Sequence, residues 1–183
     1  MILHTKKLFT KEECEKIIKL AKSNEDKDDV VWDIAAKKYE GWHFNYRNEN
    51  NRWVYDRLFD WLSEETGEKV NKVKLIIDTM ECPQFVHQYS KGDFFIRHKD
   101  KMPNNTFYRK YNIGIQLNED YGGGEFVVWD KDENEYTAPK EIGTALFYES
   151  ELPHEVKAIT NGVRYAFILI LDADYIENNK SII

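Results

Sequence analysis

The stretch YSKGDFFIRHKD, from Tyr89 to Asp100, decides the fold. It continues a series of short segments rich in β-forming residues, and it ends in a histidine and an aspartate one residue apart, His98 and Asp100. Because side chains alternate across a strand, these two project to the same face. An imidazole and a carboxylate so placed can take neighbouring positions around a metal ion. A second imidazole, for which His154 in ELPHEV is the candidate, would complete a set typical of non-haem Fe(II).

Two helices are predicted ahead of this stretch. Thr10 followed by Glu13 forms a capping box, and the apolar spacing behind it predicts a helix from Lys11 to Lys22. A second helix is predicted from about Asn51 to Thr66, with Gly67 placed where a helix stops. The segment Val30–Asn51 between them has weak periodicity and is assigned a strand and an irregular loop.

The remainder of the chain has the pattern of short β-strands. The predicted strands are Val73–Asp78, Pro83–Tyr89, Phe94–His98, Tyr111–Asn118, Glu125–Trp129, Thr144–Tyr148, Glu155–Ile159 and Arg164–Asp172. Two helices followed by many strands predict an α+β fold in which helices pack outside a β-sandwich or barrel.

Composition limits the class of protein. At 183 residues the chain is predicted to be a single domain, residues 1–183, with a helical part at about 1–68 and a β core at about 70–175. The net charge of −7 does not favour a nucleic-acid partner, since phosphate binding needs clustered cations. Two distant cysteines, Cys14 and Cys82, and the lack of a signal-peptide or membrane-spanning pattern predict a cytoplasmic protein without a membrane anchor.

Arg164 lies ten positions after His154, at the start of the apolar strand YAFILIL. A buried arginine is costly unless its guanidinium is paired. The partner is either a ligand that carries a carboxylate or an internal Asp or Glu, and the sequence leaves both open. The other histidines, His4, His43 and His87, have no comparable partners and are assigned no catalytic role.

These motifs together resemble the Fe(II)/2-oxoglutarate-dependent oxygenases, in particular the prolyl 4-hydroxylase-like branch. The similarity covers LFTKEECEKIIKLAKS, QFVHQYSKGDFFIRHKD with its nine-residue step from Tyr89 to His98, IQLNEDYGGGEFVVW, and IGTALFYESELPHEVKAITNGVRYAFIL. The resemblance implies a double-stranded β-helix of the jelly-roll or cupin type, with the N-terminal helices packed on one sheet.

The resemblance also implies the roles of the site residues. His98, Asp100 and His154 would be the catalytic metal ligands for Fe(II), Arg164 would pair with the distal carboxylate of 2-oxoglutarate, and Tyr89 would hydrogen-bond to that cosubstrate. Dioxygen would be the second cosubstrate, and ascorbate a reductant. Arg164 stands where many animal and plant prolyl 4-hydroxylases have Lys, which weakens a collagen-type assignment.

The implied function is hydroxylation of a C–H bond, with release of succinate and CO2, in a protein or peptide residue such as proline. A small molecule or free amino acid is an alternative substrate, and a non-catalytic β-sandwich binding module with a vestigial metal site is an alternative of another class. Trp42, Phe95 and Trp129 are candidates for a pocket wall or for the core. The sequence gives no indication of the oligomeric state.

Overall fold

The computed structural model describes residues 2–23, 30–77, 84–100 and 109–177, and these residues form three α-helices and fifteen strands. The helices are α1 (Lys11–Lys22), α2 (Arg52–Thr66) and α3 (Lys72–Ile77), and two 3-10 turns cover Glu49–Asn51 and Ala173–Tyr175. The strands are β1 (His4–Lys7), β2 (Val30–Ile34), β3 (Lys37–His43), β4 (Lys69–Val70), β5 (Gln84–Tyr89), β6 (Phe94–His98), β7 (Arg109–Gln116), β8 (Tyr121–Gly123), β9 (Phe126–Trp129), β10 (Glu135–Thr137), β11 (Thr144–Glu149), β12 (His154–Val156), β13 (Ile159–Gly162), β14 (Arg164–Asp172) and β15 (Ile176–Glu177).

The two predicted long helices are present, and local signals set their ends. The Thr10 hydroxyl accepts a hydrogen bond from the Glu13 amide at 3.2 Å, and the Glu13 carboxylate accepts one from the Thr10 amide at 2.9 Å, which confirms the capping box. Helix α2 ends at Gly67, whose φ of 75° lies in the left-handed region that glycine adopts without strain.

The strands form a curled antiparallel sheet. Its order is β1-β11-β7-β14-β5-β3-β6-β12-β9-β10, with β2 added to β3, and β13-β8 and β15-β4 form two small separate ribbons. Helices α1 and α2 pack on one face of the part built from β7, β11 and β14. This arrangement confirms the predicted α+β fold with a double-stranded β-helix core and helices against one sheet.

Alternation along β7, β11 and β14 separates two environments. The residues that face the helices are apolar and almost fully buried: Ile113, Ile115, Phe147, Phe167 and Leu169, packed against Ile17, Leu58 and Leu62. Burial of each such side chain stabilises the fold by about 1.5–3 kcal/mol. The intervening residues face the inside of the curled sheet and include polar ones: Asn112, Gln116, Tyr148 and Arg164.

Two strand predictions are wrong. The segment predicted as Val73–Asp78 is helix α3 as far as Ile77, and Asp78 lies outside the described residues. The Asn71 side chain accepts a hydrogen bond from the Lys74 amide at 3.0 Å and so caps this turn. The predicted strand Glu155–Ile159 is divided, because β12 pairs with β6 and β9 whereas β13 turns away to pair with β8.

The N-terminal part contains more strands than predicted. The segment Val30–Asn51 contains two paired strands, β2 and β3, and β1 adds a further strand beside β11. These strands extend the sheet rather than cover it. None of the helices in the described ranges is both long and apolar enough to cross a membrane.

Candidate metal centre

The two predicted histidine ligands come from directly paired positions on neighbouring strands. His98 ends β6 and His154 begins β12, and the two are partners in the antiparallel register. Their ring centroids lie 4.2 Å apart. Asp100 follows just beyond the end of β6, where one of its carboxylate oxygens lies 3.6 Å from His98 Nε2 and the other 3.3 Å from His154 Nε2. One ligand atom from each of the three residues lies within 4.8 Å of the others.

Backbone carbonyl groups orient both imidazole rings. His98 Nδ1 lies 2.7 Å from the Ile96 carbonyl oxygen, and His154 Nδ1 lies 3.1 Å from the Leu152 carbonyl oxygen. Because a carbonyl only accepts, these contacts assign the proton to Nδ1 and leave the lone pair on Nε2. Both Nε2 atoms therefore face Asp100 in the form that binds a cation.

The charge states also suit a metal ion. Burial, together with the neighbouring His154 ring, lowers the pKa of His98 to about 4, so that this ring is neutral near pH 7. Burial alone would raise the pKa of Asp100, but its contacts with His154, His98 and Arg109 lower it to about 2. The site thus presents a neutral imidazole beside an ionised carboxylate.

The three residues open into a cavity of about 330 Å³ with mostly apolar walls. Phe95 stacks on the His98 ring at a centroid distance of 3.6 Å, and Tyr148 lies beside His154 at 5.1 Å. The wall also includes Tyr39, Phe126, Val156, Ile168 and Ile170, with Lys37 and Arg109 as its cations. Such a cavity can bind a small organic molecule next to a metal ion and exclude water from it.

Arg164 is buried inside the curled sheet with few partners. Arg164 is 2% exposed, and within the described ranges its only hydrogen bond runs from a terminal nitrogen to Gln116 Oε1 at 3.2 Å. Arg164 Nε and Gln116 Nε2 are buried donors without an acceptor, and across the described ranges no carboxylate lies within ion-pair distance of the guanidinium. The alternative of an internal salt bridge thus finds no support among the described residues.

Tyr89 connects this arginine with the cavity. It is the cross-strand partner of Arg164, whose guanidinium lies 5.3 Å from the centre of the Tyr89 ring, and Tyr89 itself lines the cavity. Of the candidate aromatic wall residues, Phe95 lines the cavity, whereas Trp42 packs beside the helices and Trp129 contacts Arg97.

Several residues of the site have no role in the sequence prediction. Asn112 and Gln116 occupy alternate positions of β7 whose other face is apolar, a pattern that singles out polar side chains turned into the sheet. His87, assigned no role from the sequence, is 9% exposed and lines the cavity. Tyr148, on β11, also faces inward beside His154.

Comparison with known proteins agrees with this geometry. Residues 84–171, which include all five predicted site residues, match the 2OG-Fe(II) oxygenase superfamily. This part of the chain, which holds the candidate metal centre, is similar to that superfamily.

Curated proteins similar to this chain include animal prolyl hydroxylases. Prolyl 3-hydroxylase 2 from Mus musculus and from Homo sapiens are each 37% identical to it over 79 residues, which is 40% of this chain. The matched part is 11% of the length of each relative.

Solved structures of prolyl hydroxylases share the fold of this chain over nearly its whole length. A Pseudomonas putida prolyl-4-hydroxylase has a TM-score of 0.68 at 14% identity, with 93% of this chain and 91% of that chain covered. A Trichoplax adhaerens prolyl hydroxylase, in complex with a peptide fragment of the hypoxia inducible factor oxygen degradation domain, has a TM-score of 0.69 at 15% identity, with 94% and 84% covered. A viral collagen prolyl hydroxylase from Paramecium Bursaria Chlorella virus-1, in its 2OG complex, has 0.66 at 15% identity, with 94% and 96% covered.

Proposed function

We propose that this chain is an Fe(II)- and 2-oxoglutarate-dependent dioxygenase that hydroxylates a C–H bond in a protein or peptide residue such as proline. Succinate and CO2 are the other products. The observation that carries this proposal is the meeting of His98, Asp100 and His154 at one end of a cavity, with a buried arginine behind it that has no carboxylate partner among the described residues.

Three residues hold the metal. Nε2 of His98, Nε2 of His154 and the Asp100 carboxylate provide two neutral nitrogens and one anionic oxygen, a donor set that suits Fe(II) and leaves positions for further ligands. When bound, Fe(II) with 2-oxoglutarate and dioxygen supplies the oxidising chemistry. The part of the chain is to fix these donors through the backbone carbonyls of Ile96 and Leu152.

Buried hydrogen-bond donors anchor the cosubstrate. Arg164 Nε and Gln116 Nε2 are buried donors without an acceptor among the described residues, and a carboxylate is the acceptor that suits a guanidinium best. We assign the distal carboxylate of 2-oxoglutarate to Arg164, and a hydrogen bond from the Tyr89 hydroxyl to the same cosubstrate. The aromatic walls keep water from the reacting atoms.

A peptide substrate rests on the relatives. A similar fold holds a peptide fragment in the Trichoplax protein, and the curated relatives are named for prolyl hydroxylation. The proposal extends to ascorbate as a reductant and to a cytoplasmic location, the latter supported by two cysteines far apart in the sequence.

Anaerobic titration tests the site directly. Fe(II) and then 2-oxoglutarate are added to the metal-free protein, and the visible charge-transfer band of the chelated cosubstrate is followed. We expect a saturable band for the wild type and a much higher cosubstrate requirement for Arg164→Ala. A folded wild-type protein that binds Fe(II) and 2-oxoglutarate without producing the band would contradict the assignment.

Turnover tests the reaction and the substrate class. Proline-containing peptides are incubated with Fe(II), 2-oxoglutarate, ascorbate and air, and succinate release and the mass gain of one oxygen atom are measured. Equal amounts of succinate and hydroxylated peptide are the expected result. A clear charge-transfer band without hydroxylation of any peptide would support the assignment of Fe(II) and 2-oxoglutarate and contradict the assignment of a peptide substrate.

A further inference from the structure

A buried amide connects the metal-binding carboxylate to the cavity wall. Asn112, 3% exposed on β7, donates one hydrogen bond from Nδ2 to Asp100 Oδ2 at 2.6 Å and another to the Tyr148 hydroxyl oxygen at 2.9 Å. Its Oδ1 accepts a hydrogen bond from the Ser150 hydroxyl at 2.7 Å. A carboxylate only accepts, so the contact with Asp100 sets which end of the amide is the nitrogen.

This network treats the two oxygens of Asp100 differently. Oδ2 is held by the Asn112 amide, whereas Oδ1 receives no hydrogen bond from the residues that the structure describes and lies 3.6 Å from His98 Nε2 and 3.8 Å from an Arg109 nitrogen. A carboxylate with one oxygen held by a neighbouring amide is restrained in rotation and presents the other oxygen in a defined direction.

The same amide determines what the Tyr148 hydroxyl can do. Both hydrogens of Asn112 Nδ2 are used, one for Asp100 and one for Tyr148, so the tyrosine oxygen is an acceptor in this contact. Its own proton then has no acceptor among the described residues. Tyr148 lines the cavity beside His154, so this proton is available to a molecule bound there.

We propose that Asn112 is a positioning residue for the metal site and that the Tyr148 hydroxyl donates a hydrogen bond to a carboxylate oxygen of 2-oxoglutarate. This inference rests on the proposed function and adds two residues to it. The Ser150 hydroxyl holds the Asn112 amide in place, and that amide in turn holds Asp100. The same amide also donates to the Tyr148 hydroxyl oxygen, which faces the cavity. Metal affinity and cosubstrate affinity are therefore coupled through one side chain.

Binding measurements on variants test this network. The variants are Asn112→Ala, Ser150→Ala and Tyr148→Phe, with Asn51→Ala as the matched control. Asn51 is 2% exposed, and its side-chain amide donates a hydrogen bond to the Asn45 carbonyl, away from the metal site. Asn51→Ala therefore shows the effect of removing a buried amide that has no contact with the metal ligands. Each variant is first checked for folding by denaturation without metal, and Fe(II) and 2-oxoglutarate affinities are then measured anaerobically.

Each substitution has its own expected result. Asn112→Ala should weaken Fe(II) binding about 10- to 100-fold, as loss of partners of metal ligands generally does. Ser150→Ala should do so by a few-fold, and it provides the test if Asn112→Ala does not fold. Tyr148→Phe should leave Fe(II) binding unchanged and weaken 2-oxoglutarate binding about tenfold. Asn51→Ala should change neither affinity.

Other results would overturn the inference. Wild-type Fe(II) affinity in a folded Asn112→Ala, or in Ser150→Ala where Asn112→Ala does not fold, would remove the positioning role. Wild-type 2-oxoglutarate affinity in Tyr148→Phe would remove the hydrogen bond to the cosubstrate. Either failure leaves the proposed function standing as long as the wild type binds both ligands. A wild type that binds neither would overturn the proposed function and this inference together.

Discussion

Replacing Arg164 by methionine should separate cosubstrate binding from stability. Methionine is unbranched, reaches about as far as the arginine Nε and carries no charge. Among the described residues of the metal-free protein, the arginine has one neutral hydrogen-bond partner, the Gln116 side-chain oxygen at 3.2 Å, and its Nε has none. The charge therefore contributes little to the fold and should contribute strongly to binding of a carboxylate.

The magnitudes follow from the number of charge-assisted contacts. A hydrogen bond to a charged group is worth about 1.5–3 kcal/mol, so a carboxylate held by two guanidinium nitrogens should lose about 3–5 kcal/mol when Arg164 is removed. That corresponds to a rise of roughly two to four powers of ten in the dissociation constant of 2-oxoglutarate. In the metal-free protein, relief of a poorly paired buried charge is worth about 1–4 kcal/mol and offsets the loss of the donor to Gln116, about 1–2 kcal/mol.

Two measurements are needed on the same preparation. The anaerobic charge-transfer band gives the dissociation constant of 2-oxoglutarate, and urea denaturation without metal gives the free energy of unfolding. Arg164→Lys is the control: it keeps the charge but not the forked geometry, and it should lose about tenfold in affinity.

The opposite pattern would refute this reasoning. If Arg164→Met lost more than about 2 kcal/mol of unfolding free energy while its affinity for 2-oxoglutarate stayed within about twofold of the wild type, the arginine would be a structural residue. If Arg164→Lys bound 2-oxoglutarate more weakly than Arg164→Met did, a role for the positive charge in cosubstrate binding would likewise be excluded.

Three further changes test neighbouring parts of the site. Asp100→Ala should abolish succinate release while the circular dichroism spectrum stays that of the wild type, since the carboxylate serves the site rather than the core; full activity would contradict this. Gln116→Leu removes the Nε2 donor and keeps a side chain of similar size. It should weaken the binding of 2-oxoglutarate about tenfold in the charge-transfer titration and leave Fe(II) affinity unchanged. Burial and the charges of Arg164 and Lys37 lower the pKa of His87 from 6.5 to about 3. The unfolded chain therefore binds a proton that the folded protein does not, and metal-free stability should fall by up to about 1.4 kcal/mol per pH unit below about pH 6.5. His87→Phe should make this dependence shallower in urea denaturation, and an unchanged slope would contradict it.

Elements with strong local signals could be predicted from the sequence. Helix α1 has the predicted bounds because its capping box is local, and β14 has them because the apolar run from Arg164 to Asp172 is long. Helix α3 could not be predicted from its apolar, β-branched sequence. Its cap depends on Asn71, and only one of its apolar residues with a described side chain, Leu75, is buried.

The candidate site was predictable only in part, for a related reason. The three metal-binding candidates stand out because their residue types are rare and their spacing is characteristic. Asn112 and Tyr148 are common residue types, and nothing local shows that they meet. They become neighbours because β7 and β11 pair with Asn112 opposite Tyr148, a register that depends on the whole sheet.

The two faces of β7, β11 and β14 carry different tasks. Helix-facing residues such as Ile113 and Phe167 belong to the buried apolar core, so truncating them should lower stability without changing affinity for metal or cosubstrate. On the other face, Gln116 and Arg164 each have a buried donor without an acceptor among the described residues, and Asn112 donates a hydrogen bond to Asp100. Because adjacent residues alternate between the faces, one strand can supply both, and neighbouring positions such as Gln116 and Ile115 should respond to substitution in opposite ways.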